Sequence, residues 1–261
     1  MTKLNGCLEF WNGNDLMRLP VVDSKMRELV ATAEAYGQTL NVTMIKPLWQ
    51  FTLNLMGHAS GDPKVLQGEL VDADIEEGKK GGNPHFMNWI RMCSMEAAYL
   101  LGDYDLAVTF VDAPREIEKN SSGAMDGGHA LFIECMALLA QARSRKRRYH
   151  TIAYVKRRLK ILKMWAMHAP DNFLSRQYLV QAEIAFLRRD RQKALSNYRT
   201  GILHSREAGF IYQEALANER IGRSLLDWKD ELAAISHLRQ ARRIYEYWGA
   251  VVKVQQMDEG T

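Results

Sequence analysis

The feature that most constrains the fold of this chain is a repeat of residue types between Met164 and Val254. Two stretches of helical apolar spacing follow each other there, and a short polar break interrupts each of them. Equivalent positions are forty residues apart: Ala182 with Gly222, Ala194 with Ala234, Tyr198 with Leu238, and the break Arg189–Asp190–Arg191 with Lys229–Asp230–Glu231. This pattern predicts two consecutive hairpins of long helices.

The small residues at the equivalent positions indicate how these hairpins pack. Alanine and glycine allow paired helices to approach closely, while larger apolar residues fill the space between successive hairpins. A looser copy of the break occurs at Gly102–Asp103–Tyr104, followed by Ala107. One hairpin cannot bury its apolar side alone, so the hairpins must stack. The sequence therefore predicts an all-α fold, a right-handed α-solenoid of tetratricopeptide-like helical hairpins with about 9–11 helices.

Changes in composition divide the chain into four predicted segments. Residues 1–20 form an irregular N-terminal segment, residues 21–142 form degenerate helical hairpins, residues 143–254 form the tetratricopeptide-like hairpins, and residues 255–261 are a tail. A loop insert is expected at residues 61–84, which are rich in glycine and charged side chains. Its run Gly78–Gly82 lacks the spacing and the Ser or Thr of a phosphate-binding loop.

Composition and motifs argue against several classes of protein. The chain has 261 residues, of which 47% are hydrophobic, and this share is typical of a globular protein. Its three cysteines form no CxxC pair and its seven histidines have neither HxxxH nor HExxH spacing, so we expect no metal and no cofactor. No catalytic constellation is visible, which predicts a protein that is not an enzyme. The absence of an apolar leader or span predicts a cytoplasmic location and no membrane partner.

The most charged segment runs from Arg143 to Lys163, with ten Lys or Arg residues and no acid. Apolar residues recur in it every three or four positions, which predicts an amphipathic helix with a basic outer face. This face has two interpretations, the solvated side of a repeat helix or a surface that binds nucleic acid or another acidic partner. The candidate basic patch consists of Arg147, Arg148, Lys156, Arg157, Arg158 and Lys160.

Part of the repeat region resembles a known family. The matching residues are Trp165–Ala166, His168–Phe173, Gln213–Glu219, Tyr245, Trp248–Ala250 and Lys253–Val254. They are similar to a helical region of large signalling proteins, the multi-sensor histidine kinases and related serine/threonine kinases with a predicted ATPase module. The resemblance is dense from about Trp165 to Val254 and absent before about Val21. It implies a tetratricopeptide-like connector or docking surface, with kinase or ATPase modules as partners, and it implies no activity of its own.

We therefore expect a non-catalytic protein-binding or scaffold module in signal transduction, which binds a protein segment in its concave groove. Side chains of the first helix of each hairpin usually line such a groove. The candidate binding residues are Gln213, Glu214, Asn218, Gln181 and Tyr178. One alternative is binding of nucleic acid or an acidic partner through residues 143–163. Another is a cis-acting regulatory segment of a larger kinase or ATPase.

Overall fold

A computed structural model describes residues 18–37, 39–80, 82, 84–111, 124–144 and 148–259. Within these ranges the chain is all-helical and contains no strand, which confirms the all-α prediction. The described helices are α1 (Leu19–Ala35), α2 (Thr39–Met56), α3 (Asp72–Lys79), α4 (Pro84–Leu100), α5 (Tyr104–Thr109), α6 (Ala124–Ser144), α7 (Arg148–His168), α8 (Pro170–Leu187), α9 (Arg191–Glu207), α10 (Ile211–Asp227), α11 (Glu231–Trp248) and α12 (Val251–Glu259).

The helices belong to two compact units. Among the described residues, unit 1 contains residues 18–111 and 249–259, and unit 2 contains residues 124–248. The sequence-based division after residue 142 therefore does not coincide with this one, because α6 lies in unit 2. Most of the segment predicted as a tail from residue 255 is helical, since α12 continues to Glu259 and belongs to unit 1.

In unit 2 the helices pack in the order of the chain. Each helix from α6 to α11 contacts the next, and α8 also contacts both α6 and α10. Small side chains make the closest of these contacts possible. A Cβ atom added to Gly222 of α10 would lie 2.8 Å from the Leu238 Cγ of α11, so only glycine fits without a shift of the leucine. Ala182, Ala194 and Ala234 are fully buried at the equivalent positions.

The two polar breaks at the forty-residue offset have the same backbone geometry. Arg189 and Lys229 have φ values of 62° and 61°. The backbone N–H of Arg189 donates to Phe186 O at 2.9 Å, and that of Lys229 donates to Leu226 O at 2.8 Å. The backbone N–H of the next residue, Asp190 or Asp230, donates to the carbonyl oxygen five residues before it. This pairing of bonds is the Schellman motif that ends a helix. Gly102 in unit 1 ends α4 in the same way, so the looser copy of the break shares the turn.

A glycine at position 229 is expected to stabilise the protein. The left-handed conformation costs an ordinary residue about 1–2 kcal/mol, which exceeds the roughly 0.5–1 kcal/mol of additional entropy that glycine loses on folding. Lys229→Gly should therefore raise the free energy of unfolding by about 0.5–1 kcal/mol in a urea titration. The same substitution at the exposed Lys25 inside α1 should lower it by about 1 kcal/mol. Equal losses for both variants would contradict the strain at Lys229.

Unit 1 is held together by contacts between sequence-distant helices as well as between neighbours. Helix α2 contacts α1, α4 and α12. The indole N–H of Trp49 in α2 donates a hydrogen bond of 2.7 Å to Asp23 in α1. The buried Lys253 of α12 donates its ammonium group to Leu100 O at the end of α4. A cation at that position satisfies a terminal carbonyl and interacts favourably with the helix dipole.

The segment predicted as a loop insert is more ordered than expected. Residues 61–71 form turns, but Leu66 and Val71 are buried, and residues 72–79 form α3. Gly78 lies inside this helix rather than in a loop. The prediction was wrong there because glycine and lysine were counted as loop residues, whereas the acidic residues Asp72 and Asp74 favour a helix by occupying its first turn.

Candidate functional site

The most distinctive polar feature of unit 2 is an ion network around Glu183 of α8. The Glu183 carboxylate is fully buried and pairs with Arg143 of α6 and Arg220 of α10. Arg143 donates from Nη2 to each carboxylate oxygen at 3.0 Å and from Nε at 3.2 Å, and Arg220 donates from Nε at 2.8 Å and from Nη2 at 3.0 Å. Both arginines thus bind the carboxylate with two nitrogens, the strong form of this interaction.

Two hydroxyl groups complete the network. Tyr198 of α9 donates to Glu183 Oε1 at 2.7 Å, and its oxygen accepts a bond of 3.0 Å from Arg143. The Ser224 hydroxyl of α10 donates to Arg220 O and accepts from Arg143 at 2.9 Å. The network therefore connects α6, α8, α9 and α10. Because the carboxylate already accepts from two guanidinium groups and a phenol, it has no remaining capacity to act as a base or a ligand.

The charges around Glu183 decide its protonation. Burial alone would raise its pKa, but Arg143 and Arg220, with hydrogen bonds from Arg220 and Tyr198, hold the pKa at about 2. The pKa of Tyr198 moves in the opposite direction, because burial and the neighbouring Glu183 both disfavour the phenolate. The network consists of an ionised acid and a neutral phenol at neutral pH, which is an arrangement that stabilises structure rather than one that transfers protons.

Sequence reasoning did not identify this network. It assigned Arg143 to a basic outer face and did not single out Glu183, although this acid stands alone in the apolar run Tyr178–Leu187. An isolated carboxylate in an apolar stretch must find buried partners, because an unpaired buried charge is very costly. That signal could have found Glu183. It could not have named Arg143 and Arg220, which lie forty and thirty-seven residues away.

Another buried cation of unit 2 lies in α8, close to two aromatic rings. The Arg176 side chain is buried, with its guanidinium carbon 5.6 Å from the centre of the Phe173 ring and 5.7 Å from that of Phe210. His129 of α6 is also buried, and burial together with the Arg176 charge lowers its pKa well below its usual range. A neutral histidine beside an arginine adds no second charge to the core, so both side chains can remain buried.

Two of the five residues predicted to line a groove are buried. Gln213 and Asn218 are buried in α10, where Gln213 accepts a hydrogen bond of 2.7 Å from Ser175 and Asn218 contacts His237. Neither side chain has surface available to a partner in this conformation. The burial arises because α10 contacts α8, α9 and α11.

The other three candidate groove residues are partly exposed. Glu214 pairs with Arg206 at 2.6 Å, and the Tyr178 ring stacks on His204 with centroids 5.6 Å apart. Gln181 has a buried Nε2 atom with no hydrogen-bond partner in the described structure. The five residues lie on α8 and α10 and form no continuous exposed strip of polar groups.

The predicted basic patch divides into inward and outward cations. Arg158 of α7 pairs with Glu134 of α6 at 3.0 Å and is largely buried, and Arg148 donates to Arg143 O at 2.9 Å. These two arginines therefore support the contact between α6 and α7 instead of the outer surface. Arg147 lies outside the described residues.

Four cations of α7 remain on the outside. Lys156, Arg157, Lys160 and Lys163 are exposed, and none of them pairs with a carboxylate in the part of the chain that the structure describes. Three large apolar side chains are exposed on the same helix: Tyr149 at 87%, Met164 at 46% and Met167 at 76%. We call these seven residues the outer face of α7. It combines uncompensated positive charge with accessible apolar surface.

No group of three or more His, Cys, Asp or Glu side chains suited to a metal ion occurs in the described ranges. None of the helices within them is long and apolar enough to cross a membrane. Comparison with known proteins finds no matching family, no matching curated protein and no matching solved structure.

Proposed function

We propose that this chain is a non-catalytic helical-repeat module of tetratricopeptide-like type that binds another protein. The packing of α6–α11 supports this proposal, because consecutive helices contact one another and α8 also contacts α6 and α10. The shared turns at Arg189 and Lys229 support a repeated hairpin unit. Proteins built from stacked hairpins generally act through their extended surfaces.

One observation carries the proposal: the carboxylate of Glu183 in the interior of unit 2 is paired within the fold, whereas the cations on the outer face of α7 have no carboxylate partner in the described ranges. Glu183 is saturated by Arg143, Arg220 and Tyr198. Lys156, Lys160 and Lys163 have no carboxylate partner in the described ranges, and large apolar side chains are exposed beside them. Exposed apolar surface next to charged residues is characteristic of interaction sites.

The proposal places binding on outward-facing residues. Gln213 and Asn218, which the sequence favoured for a concave groove, are buried and serve the packing of α10. A role in signal transduction, with kinase or ATPase modules as partners, is part of the proposal and has only the sequence resemblance as its support.

The proposal is tested by capture on the intact immobilised chain, followed by calorimetry with each captured protein after purification. We expect saturable binding with a defined stoichiometry. As a control, the same capture on a Glu183→Ala chain, whose fold we expect to be weakened, should enrich less of that protein. If no captured protein binds saturably, or if the chain chemically converts a captured compound, a non-catalytic binding role is wrong.

A further inference from the structure

The outer face of α7 has a regular geometry. Tyr149, Lys156, Lys160, Lys163 and Met167 follow one another at intervals of seven, four, three and four residues. Side chains at such intervals form one stripe along a helix. With a rise of about 1.5 Å per residue, the three lysines span about 10 Å, and an exposed apolar side chain lies beyond them at each end.

The opposite side of α7 is committed to unit 2. Ile152, Val155 and Leu159 are buried, and Arg158 pairs with Glu134 of α6. The helix therefore cannot turn its apolar side towards a new partner without leaving its place. The outer face remains available, and its stripe offers a short row of cations between two apolar contacts.

We propose that the outer face of α7 binds an acidic amphipathic helix of a partner protein, an inference that rests on the proposed function of protein binding. Carboxylates spaced by four and three residues on such a helix face the three lysines in register. Apolar residues further along the same face contact Tyr149 and Met167. Methionine and tyrosine are both suited to such contacts, since methionine adapts its shape and tyrosine is enriched in protein interfaces.

Charge and size favour this occupant over nucleic acid and over a lipid surface. The net charge is only +4, and the row of lysines is shorter than one turn of duplex DNA. Phosphate groups make no use of the exposed methionines. A membrane-surface helix needs a continuous apolar face to insert into the interface, and that face of α7 is already buried.

The test uses fluorescence anisotropy with a labelled synthetic helix of about five turns. Its glutamates repeat the spacing of the lysines, and its leucines lie where they meet Tyr149 and Met167. A control peptide has the same composition with the glutamates distributed around the helix. We expect the intact chain to bind the first peptide at least about tenfold more tightly than the second, and to bind it less tightly as salt rises from about 50 to about 300 mM.

Variants decide whether the stripe is responsible. Lys156→Glu, Lys160→Glu and Lys163→Glu combined should weaken binding at least about tenfold, and Met167→Ala about threefold. The matched control reverses three exposed lysines elsewhere: Lys25→Glu, Lys193→Glu and Lys229→Glu should together leave the affinity within about twofold. Circular dichroism confirms that each variant is folded, and the triple Lys→Gln variant repeats the test without added negative charge.

Four results would overturn the inference. The first is equal affinity of the intact chain and of the stripe variant, the chain with all three Lys→Glu changes, and the second is equal affinity of the intact chain for both peptides. The third is tighter binding of duplex DNA or of phosphatidylserine vesicles than of the first peptide. The fourth is self-association of the intact chain that the stripe variant abolishes. A captured protein that still binds the stripe variant would sink the inference and leave the proposed function standing. Failure to capture any protein would remove the proposed function instead.

Discussion

Replacement of Glu183 with alanine is expected to lower the free energy of unfolding of unit 2 by about 3–5 kcal/mol, because it removes the buried carboxylate that Arg143 and Arg220 share, while the other carboxylate near Arg143, that of Asp227 at 3.4 Å, is exposed. Arg220 is almost as buried as Glu183, and Arg143 is only 14% exposed, so neither guanidinium group is well solvated by bulk water. Tyr198 also loses its acceptor. The measurement is a urea titration followed by circular dichroism.

Two further variants show that the loss comes from the network. Glu246→Ala removes a carboxylate that is 62% exposed and pairs with Arg242 at 3.0 Å. We expect it to cost less than about 1 kcal/mol, as exposed ion pairs do. Glu183→Gln keeps the side-chain volume and removes the charge, so its cost should lie between those of the two alanine variants. A loss below about 1 kcal/mol for Glu183→Ala would contradict the network's role in stability.

The second large effect is a loss of stability in acid that depends on Glu183. Its pKa is about 2 in the folded protein, against 4.5 for an unperturbed glutamate. A lowered folded pKa stabilises the folded state above the unfolded pKa, and this stabilisation is lost as pH falls towards the folded pKa. The shift corresponds to about 3 kcal/mol in total, of which about 2 kcal/mol is lost at about pH 3.

The measurement compares the intact chain with Glu183→Gln in urea titrations at about pH 7 and about pH 3. The difference in the free energy of unfolding between the two proteins should be smaller by about 2 kcal/mol at the lower pH. Protonation of Glu183 in the intact chain removes the charge that the variant already lacks. The corresponding difference in the free energy of unfolding between the intact chain and Glu246→Gln should change by less than about 0.5 kcal/mol, since the ion pair of Glu246 with Arg242 is exposed. A gap for Glu183→Gln that is independent of pH would show that Glu183 is not held ionised by its partners.

Most of the helices could be predicted from the sequence, because their signals are local. The apolar spacing in α2 and α4 and the glycines at positions 57 and 102 indicate where these helices lie and end. The insert at residues 61–84 was predicted less well, since its turns are held by hydrogen bonds from Asn54 of α2 to Pro63 O and Val65 O, which no local pattern indicates. Similarly, the sequence-based division at residue 254 cuts through α12, which is one helix and packs on α2.

The candidate binding residues were harder to predict than the helices. Periodicity indicates that a residue lies on one face of a helix, but it does not say how many neighbours that helix has. Gln213 and Asn218 were expected to be accessible on a first helix, yet α10 is enclosed by α8, α9 and α11. The basic run has the same ambiguity. Arg158 and Lys160 are two residues apart, and one pairs with Glu134 while the other is exposed.

The sequence by itself determined that the chain is helical and that two equivalent turns lie forty residues apart. Both properties depend on interactions within a few residues, such as the bond from Asp230 N to Leu225 O. Only the tertiary structure decided which charges are buried. Glu183, Arg143 and Arg220 meet because α6, α8 and α10 pack together. Their pairing depends on distances between helices that no local pattern encodes, and the cations left on the outer face of α7 are those without such a neighbour.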